Sequence, residues 1–380
     1  MREEIASAKK KRIIVKIGSH VLSNAGRFTS TEVHNLAEQI MELREQQHEI
    51  LLVTSGAVLM GRNMMGYNLS HYPRSLKQTL AAIGQVSLMS AYHRIFEQHN
   101  QQIGQILINL EDFNERWRYL NIKQTILGLF KLQVLPVINE NDCISTEDFA
   151  FGDNDSLSAQ LAGMLDADLL VILSTVNGLY NGNPRHEDSK VLSTVKSITP
   201  ALMEDARSKG QLLSTGGMIA KLEAIKKATH FGVPVILANG KEHGMLRKIL
   251  AGREIGTMFL PEVKRMRLRK RWLAYSTKVA GEIVIDEGAV AAILDRSASL
   301  LSSGVIEVRG SFEAQDVILI VDRNDRKIAK GITKYDSRNL EQVAGLSHNE
   351  ITRTLGVRYF SEVVHRDDMV LLPETHKEIK

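Results

Sequence analysis

Over residues 12–240 the chain keeps one beat: a short apolar run, a stretch with helical spacing, then another apolar run. The apolar runs are too short and too continuous for amphipathic helices, and most end in small, polar or acidic residues. Ile13-Ile-Val-Lys-Ile17 is followed by Gly18-Ser19, and Ile50-Leu-Leu-Val53 by Thr54-Ser55-Gly56. Further strands are predicted over 103–108, 134–138, 168–173 and 234–238. Pro136 implies that its strand starts late or lies near a sheet edge. Between the first two runs, Val33, Leu36, Ala37, Ile40 and Leu43 recur at three- and four-residue spacing, predicting a helix over about 30–47 with Thr29-Ser30-Thr31 as its N-cap. Alternation of this kind builds an α/β fold, a mostly parallel sheet with helices on both faces. Ligands bind such sheets beyond the carboxyl ends of the strands. The chemistry is therefore expected after the apolar runs, including Asn139-Glu-Asn-Asp142, Ser174-Thr175 and Ala238-Asn-Gly240.

The rhythm changes near residue 279. Alternating runs at 282–286, 306–308, 317–321 and 327–332 are short and closely spaced, and Asp322-Arg-Asn-Asp325 is a hairpin signal. They predict a small β-rich barrel or sandwich. The 380-residue length accommodates two domains. We place a first domain at 12–260, a basic linker at 261–278, a β-rich domain at 279–373 and a polar tail at 374–380.

Composition narrows the class. Charged residues make up 24% and hydrophobic residues 43%, which excludes a disordered or fibrous chain. The single cysteine, Cys143, cannot form an internal disulfide, and its isolation fits a reducing compartment. No apolar run approaches the ~18 residues of a membrane span. A cytoplasmic location is expected. The net charge of +4 is mild, but residues 262–278 carry seven basic residues against one acidic, whereas 279–373 carry 11 against 15. That acidic balance, with few aromatic residues, argues against RNA binding by the second domain.

Three features carry chemistry. Lys16 interrupts an apolar strand, where a buried ammonium needs a partner. Gly152-Asp153-Asn154-Asp155 opens a helix with two carboxylates and a carboxamide. Thr215-Gly216-Gly217-Met218 opens another over about 218–231, with Lys221 one turn in. A glycine-lined helix N-terminus suits a phosphate, and a lysine one turn in can reach the same anion. Two lysines with backbone N–H groups suit a transferring phosphoryl group, and Asp155 can hold both lysines. A carboxylate acceptor is already ionised and needs no general base. There is no Walker A pattern, no GxGxxG, and no metalloprotease-like histidine spacing.

Taken in order, Val15-Lys-Ile-Gly-Ser19, Val53-Thr-Ser-Gly-Ala57, Pro136-Val-Ile-Asn-Glu-Asn-Asp142, Gly152-Asp-Asn-Asp155, Gly178-Leu-Tyr180, Gly216-Gly-Met218 with Lys221, and Val364-His-Arg-Asp-Asp-Met369 resemble the bacterial glutamate 5-kinases. These have the amino-acid kinase fold followed by a small β-rich PUA barrel domain. The resemblance covers about 12–370. It implies ATP-dependent phosphorylation of the L-glutamate side-chain carboxylate, with Mg2+, as the first step of proline biosynthesis. By motif position it implies Lys16, Lys221 and Asp155 as catalytic residues, and Ser55, Asp142 and Asn154 as glutamate-binding, with Asp142 suited to the α-ammonium. It implies an ATP site formed by Lys16, Gly18, Ser174, Thr175, Tyr180, Thr215, Gly216, Gly217, Met218, Ile219, Ala220 and Lys221. No metal ligand follows from it. A homo-oligomer and association with glutamyl phosphate reductase are expected on the same ground. Two positions depart from the family pattern: Ser174-Thr175 where Thr-Asp is typical, and His20 where a small hydroxyl residue is usual. Two other readings stay open at this stage. One is a kinase of the same fold acting on another small acid. The other is a degenerate kinase that binds RNA.

Overall fold

The computed structural model describes residues 2–6, 10–67, 73–145, 153–183, 186, 188–208, 217–261, 273, 279–296, 298–355 and 362–372. Thr215, Gly216, Gly152, nearly all of the basic linker and the polar tail lie outside them. The residues fall into two units, one built on Met1–Asp112 with Arg116–Arg265, the other on Met266–Lys380 with the short segment Phe113–Glu115.

In the first unit the apolar runs become strands β1 (Arg12–Ile17), β4 (Glu49–Val53), β5 (Ile103–Ile108), β6 (Leu135–Glu140), β7 (Leu169–Ser174) and β9 (Val235–Asn239). The short strands β2 (Ser23–Asn24) and β3 (Arg27–Phe28) pair as a separate hairpin. With β8 (Thr194–Val195) and β10 (Thr257–Phe259), the main sheet has the order β5-β6-β4-β1-β7-β9-β10-β8. All its pairs are parallel except β9 with β10. Every residue of β6 and β7 is buried, as a parallel sheet covered on both faces requires. Pro136 is accommodated next to the edge strand. β6 pairs with β5 from Leu135 onward, but its ladder with β4 begins only at Val137, just past the missing N–H.

The helices of this unit are α1 (Arg2–Ala6), α2 (Ser30–Glu45), α3 (Ala57–Met65), α4 (Arg74–Glu97), α5 (Arg116–Lys131), α6 (Asp153–Met164), α7 (Pro200–Ser208), α8 (Met218–His230) and α9 (Met245–Leu250). Thr29 occupies the N-cap position of α2 in an extended conformation, but its side chain makes no capping bond. Strand alternation sorts the layers. Ile13, Val15 and Ile17 of β1 share a core with Leu36 and Ile40 of α2, Leu88 and Tyr92 of α4, and Leu246 of α9. Lys16 has the opposite parity, on the face where α6 and α8 pack together.

The second unit contains β11 (Gly281–Ile285), β12 (Leu300–Leu301), β13 (Val305–Gly310), β14 (Val317–Val321), β15 (Lys327–Ile332), β16 (Glu362–Val364) and β17 (Met369–Leu371). Five form a sheet in the order β13-β11-β14-β15-β17, and β12 pairs with β16. The predicted hairpin joins β14 to β15. Asp322 Oδ1 accepts the backbone N–H groups of Asn324 and Arg326 at 2.8 and 3.0 Å, an Asx turn that sets the reversal.

Candidate active site

Three buried charges meet where β1, α6 and α8 converge. Asp155 is fully buried, and Lys16 and Lys221 are 5% and 8% exposed. Lys16 Nζ lies 2.7 Å from Asp155 Oδ1, and Lys221 Nζ donates to Oδ2 at 3.0 Å. Burial alone would raise the carboxyl pKa of Asp155. The two ammonium groups outweigh burial and hold it below the usual carboxylate range. Lys16 moves the other way. Burial pushes its ammonium pKa down, Asp155 opposes this, and Lys221 adds to it. One carboxylate faces two cations, so the cluster keeps a net positive charge directed at an incoming anion.

Backbone geometry surrounds this cluster. The Gly18 N–H donates to Leu173 O at 3.2 Å, which ties the loop after β1 to the end of β7. What Gly18 leaves is space: a Cβ there would stand 3.8 Å from Lys16 Nζ. Gly217, at φ +39°, precedes α8, whose first i→i−4 bond runs from the Lys221 N–H to Gly217 O at 3.4 Å. The N–H groups of Met218, Ile219 and Ala220 lie before that bond, in the anion-binding turn of a helix.

The remaining predicted residues fall on two flanks of β1. On one side β4 and β6 end together. There the Thr54 N–H donates to Ile138 O at 2.8 Å, which places half-buried Ser55 beside the segment Asn139–Asp142. Asn154 joins this group, its Oδ1 accepting from the Glu140 N–H and its Nδ2 donating to Asn139 Oδ1, both at 3.2 Å. Asp142 lies in the turn closed by the Ile144 N–H on Asn141 O at 3.1 Å. On the other side β7 and β9 end together. Ser174 is buried, and its carbonyl accepts from the Gly240 N–H at 2.8 Å, while Thr175 is exposed. Tyr180 is half-buried in an isolated bridge with Val191. Gly178 must be glycine here, because a Cβ would come within 2.6 Å of both Thr257 Oγ1 and Val191 Cγ1.

Two residues of this edge, Asn177 and Lys241, had no role in the sequence reading, and Asn239 was named there only as part of a strand-end segment. Asn239 Nδ2 donates to Asn177 Oδ1 at 2.8 Å, and Asn177 Nδ2 reaches Tyr180 Oη at 3.4 Å. Lys241 Nζ donates to Ser23 O, tying the loop after β9 to the short strand β2. Asn177, Asn239 and Lys241 all sit at or just after strand ends, which was the available signal. His20 is exposed at this edge. Its imidazole pKa is lowered by partial burial and by the field of Lys221, Arg62, Lys241 and Lys16. Among the described residues no group of three or more His, Cys, Asp or Glu side chains is placed to hold a metal, and Asp155 is committed to the lysines.

The model of the amino acid kinase family matches residues 11–239, well over half of the chain. The chain belongs to the amino acid kinase family. A PUA domain model matches residues 281–355, over the β-rich unit. Glutamate 5-kinase of Thermoanaerobacter sp. (strain X514) is 40% identical over 370 residues, spanning 96% of this chain and 99% of the relative. Glutamate 5-kinase of Syntrophotalea carbinolica is also 40% identical, over 372 residues, spanning 98% of this chain and 100% of the relative. A UMP kinase from Bacillus anthracis covers 67% of this chain and 97% of its own, at 16% identity and a TM-score of 0.46. Among the described residues no helix is long and apolar enough to cross a membrane.

Proposed function

We propose that the chain phosphorylates the side-chain carboxylate of L-glutamate with ATP, giving L-glutamyl 5-phosphate for proline biosynthesis. The observation that carries this reading is the Lys16–Asp155–Lys221 cluster, seated between two groups of polar strand ends. Near-full-length relatives named glutamate 5-kinase supply the substrate class.

The glutamate carboxylate attacks the γ-phosphorus of ATP, a new P–O bond forms, and the bond to the ADP oxygen breaks. Charge on the phosphoryl oxygens in the transition state meets the ammonium groups of Lys16 and Lys221, which are already positioned and desolvated. Asp155 holds both lysines and is not a base, because both its oxygens are occupied and its carboxyl is strongly ionised. Asp142 takes the α-ammonium, with Ser55 and Asn154 completing the acid site. Ser174, Thr175, Tyr180, Gly217 and the first turn of α8 line the nucleotide side. A divalent cation, Mg2+ in this reading, enters with ATP on its phosphates and withdraws charge from them.

Cytoplasmic location, self-assembly and a functional link to the reductase that consumes the acyl phosphate belong to the same proposal. RNA binding by the second unit receives no support from its described charges. Arg309, for example, is held by Glu307 and Asp325 at 3.0 and 2.6 Å.

The test is ADP release from Mg-ATP with and without L-glutamate, with the acyl phosphate trapped by hydroxylamine. Glutamate-dependent ADP with a matching amount of hydroxamate is expected. No turnover by folded, ATP-binding protein overturns the proposal, as does equal turnover of N-acetylglutamate, which lacks the ammonium that Asp142 would recognise.

A further inference from the structure

A chain of three side-chain amides, two of them buried and the third half-buried, runs from helix α4 to Asn154. Gln85 and Asn139 are 8% and 1% exposed. Gln85 Oε1 accepts from Asn139 Nδ2 at 2.8 Å, and Asn139 Oδ1 accepts from Asn154 Nδ2 at 3.2 Å. Asn154 Oδ1 in turn accepts from the Glu140 N–H at 3.2 Å. At each link a nitrogen donates toward α4 and an oxygen faces Asn154, so the chain has a direction.

Two glycines bring α4 this close. A Cβ on Gly84 would lie 1.9 Å from Ala57 O, and a Cβ on Gly61 would lie 1.9 Å from Leu80 O. Helices α3 and α4 therefore meet backbone to backbone just beyond the Ser55-Gly56 loop. Gln85, next to Gly84, is carried to the end of β6.

An amide has a donating and an accepting end of nearly equal size, and its neighbours decide which end faces a ligand. Asn154 has its oxygen committed to Glu140 and one N–H committed to Asn139. It has a second N–H left to donate, while its oxygen already faces the Glu140 backbone. A donor there suits a carboxylate and repels an ammonium. The α-carboxylate sits on the same carbon as the ammonium, so an ammonium at Asp142 brings it nearer than the side-chain carboxylate to the segment Glu140–Asp142, to which Asn154 is bonded.

We propose that Gln85 is a positioning residue for the acid substrate: through Asn139, and together with the Glu140 N–H, it holds the Asn154 amide in place with a donor N–H toward the substrate α-carboxylate. The proposal rests on the reading that Asn154 binds the acid. Gln85 Nε2 is buried without a hydrogen-bond partner among the described residues. The Gln85 amide is thus held by its oxygen, and losing that acceptor leaves Asn139 Nδ2 unpaired and Asn154 held firmly only by the Glu140 N–H.

The test is steady-state kinetics of the full chain as Gln85→Leu, Gln85→Glu and Asn154→Ala, with melting curves for each. Gln85→Leu keeps the volume and removes the acceptor. It should raise the glutamate KM by about tenfold, the effect of one hydrogen bond to a charged group, with kcat and the ATP KM within about twofold. It should also narrow the preference for L-glutamate over its α-amide, because a less firmly held Asn154 aims its N–H less well at the α-carboxylate. Gln85→Glu keeps an oxygen toward Asn139 and should restore much of the lost affinity. If Gln85→Leu does not fold, Gln85→Met, unbranched and without a side-chain acceptor of comparable strength, takes its place. A normal glutamate KM and unchanged α-amide discrimination in the apolar variant, with Asn154→Ala impaired, overturn the relay. Normal glutamate kinetics in Asn154→Ala overturn the reading beneath it.

Discussion

Lys16 and Lys221 sit on opposite oxygens of one carboxylate, 2.7 and 3.0 Å from Asp155. A single negative charge cannot neutralise both. The two ammonium groups are held together against their own repulsion, in a site that excludes most water. In the proposed reading, a polyanion bound there would supply the counter-charge that Asp155 alone cannot.

Replacing Lys221 by alanine should therefore act on turnover. Removing one preorganised cation should lower kcat by about 10²–10³-fold, while the glutamate KM stays within a few-fold. Steady-state rates at saturating ATP check this, and an unchanged kcat would remove Lys221 from the mechanism.

Asp155→Asn leaves two buried ammonium groups without their counter-charge. Breaking a buried ion pair from one side should cost about 3–5 kcal/mol of folding stability. The wild-type carboxyl has its pKa below the ordinary value of 3.8. Its contribution to stability is thus fully present above that value and is lost as pH falls below it toward the folded pKa. Denaturant titrations between about pH 7 and pH 2 should show a stability loss at the acidic end that is smaller in Asp155→Asn.

His20 lies in the field of Lys16, Arg62, Lys221 and Lys241, and its pKa is lowered from 6.5. The free protein therefore keeps it neutral at pH 7. Nucleotide phosphates would offset those cations and draw a proton onto the ring. Nucleotide binding should tighten from about pH 7.5 to about pH 6, and His20→Ser should flatten this dependence beyond what ATP's own titration gives. Calorimetry in buffers of different ionisation enthalpy counts the proton directly. Equal proton uptake by the two proteins would contradict the assignment.

Asp142→Ala should leave kcat at saturating glutamate within a few-fold and raise the glutamate KM about tenfold or more, the effect of a lost charge-assisted contact. An unaltered glutamate requirement would place the α-ammonium elsewhere.

Gly84→Ala probes the crossing of α3 and α4. Its methyl group would have to move the Ala57 carbonyl from a 1.9 Å clash. A destabilisation of about 1–3 kcal/mol is expected from overpacking, read as a lower denaturation midpoint.

The features legible in the sequence were those with a local signature. Lys16 stood out in an apolar strand, Asp155 in an acidic helix start, and Lys221 one turn past a glycine pair. Each signal lies within a few residues of the group it marks, and parallel strand ends bring such groups together. Arg2 shows what local pattern cannot reveal. Its guanidinium donates to the carbonyls of Ser193, Arg253 and Ile255 at 2.9, 2.9 and 3.0 Å, so it ties the N-terminal segment to two distant loops. Nothing around Arg2 announces this, because the partners are backbone carbonyls that any residue supplies. The Gln85–Asn139 pair was hidden for the same reason, since a glutamine inside a helix has no pattern of its own. Strand order was also not readable. Alternation gives a parallel sheet, but not that β1 lies between β4 and β7.

That position of β1 has a consequence for how such an enzyme can change. In the proposed reading, β4 and β6 serve the acid and β7 and β9 serve the nucleotide, while β1 carries the lysine that both require. The two recognition tasks are thus written on separate stretches of chain, divided by a strand under the strictest constraint. Mutations can accumulate on one flank without being answered on the other. A new acid could be accommodated by rewriting the ends of β4 and β6 and position 154 at the start of α6, with the machinery that delivers the phosphoryl group inherited intact.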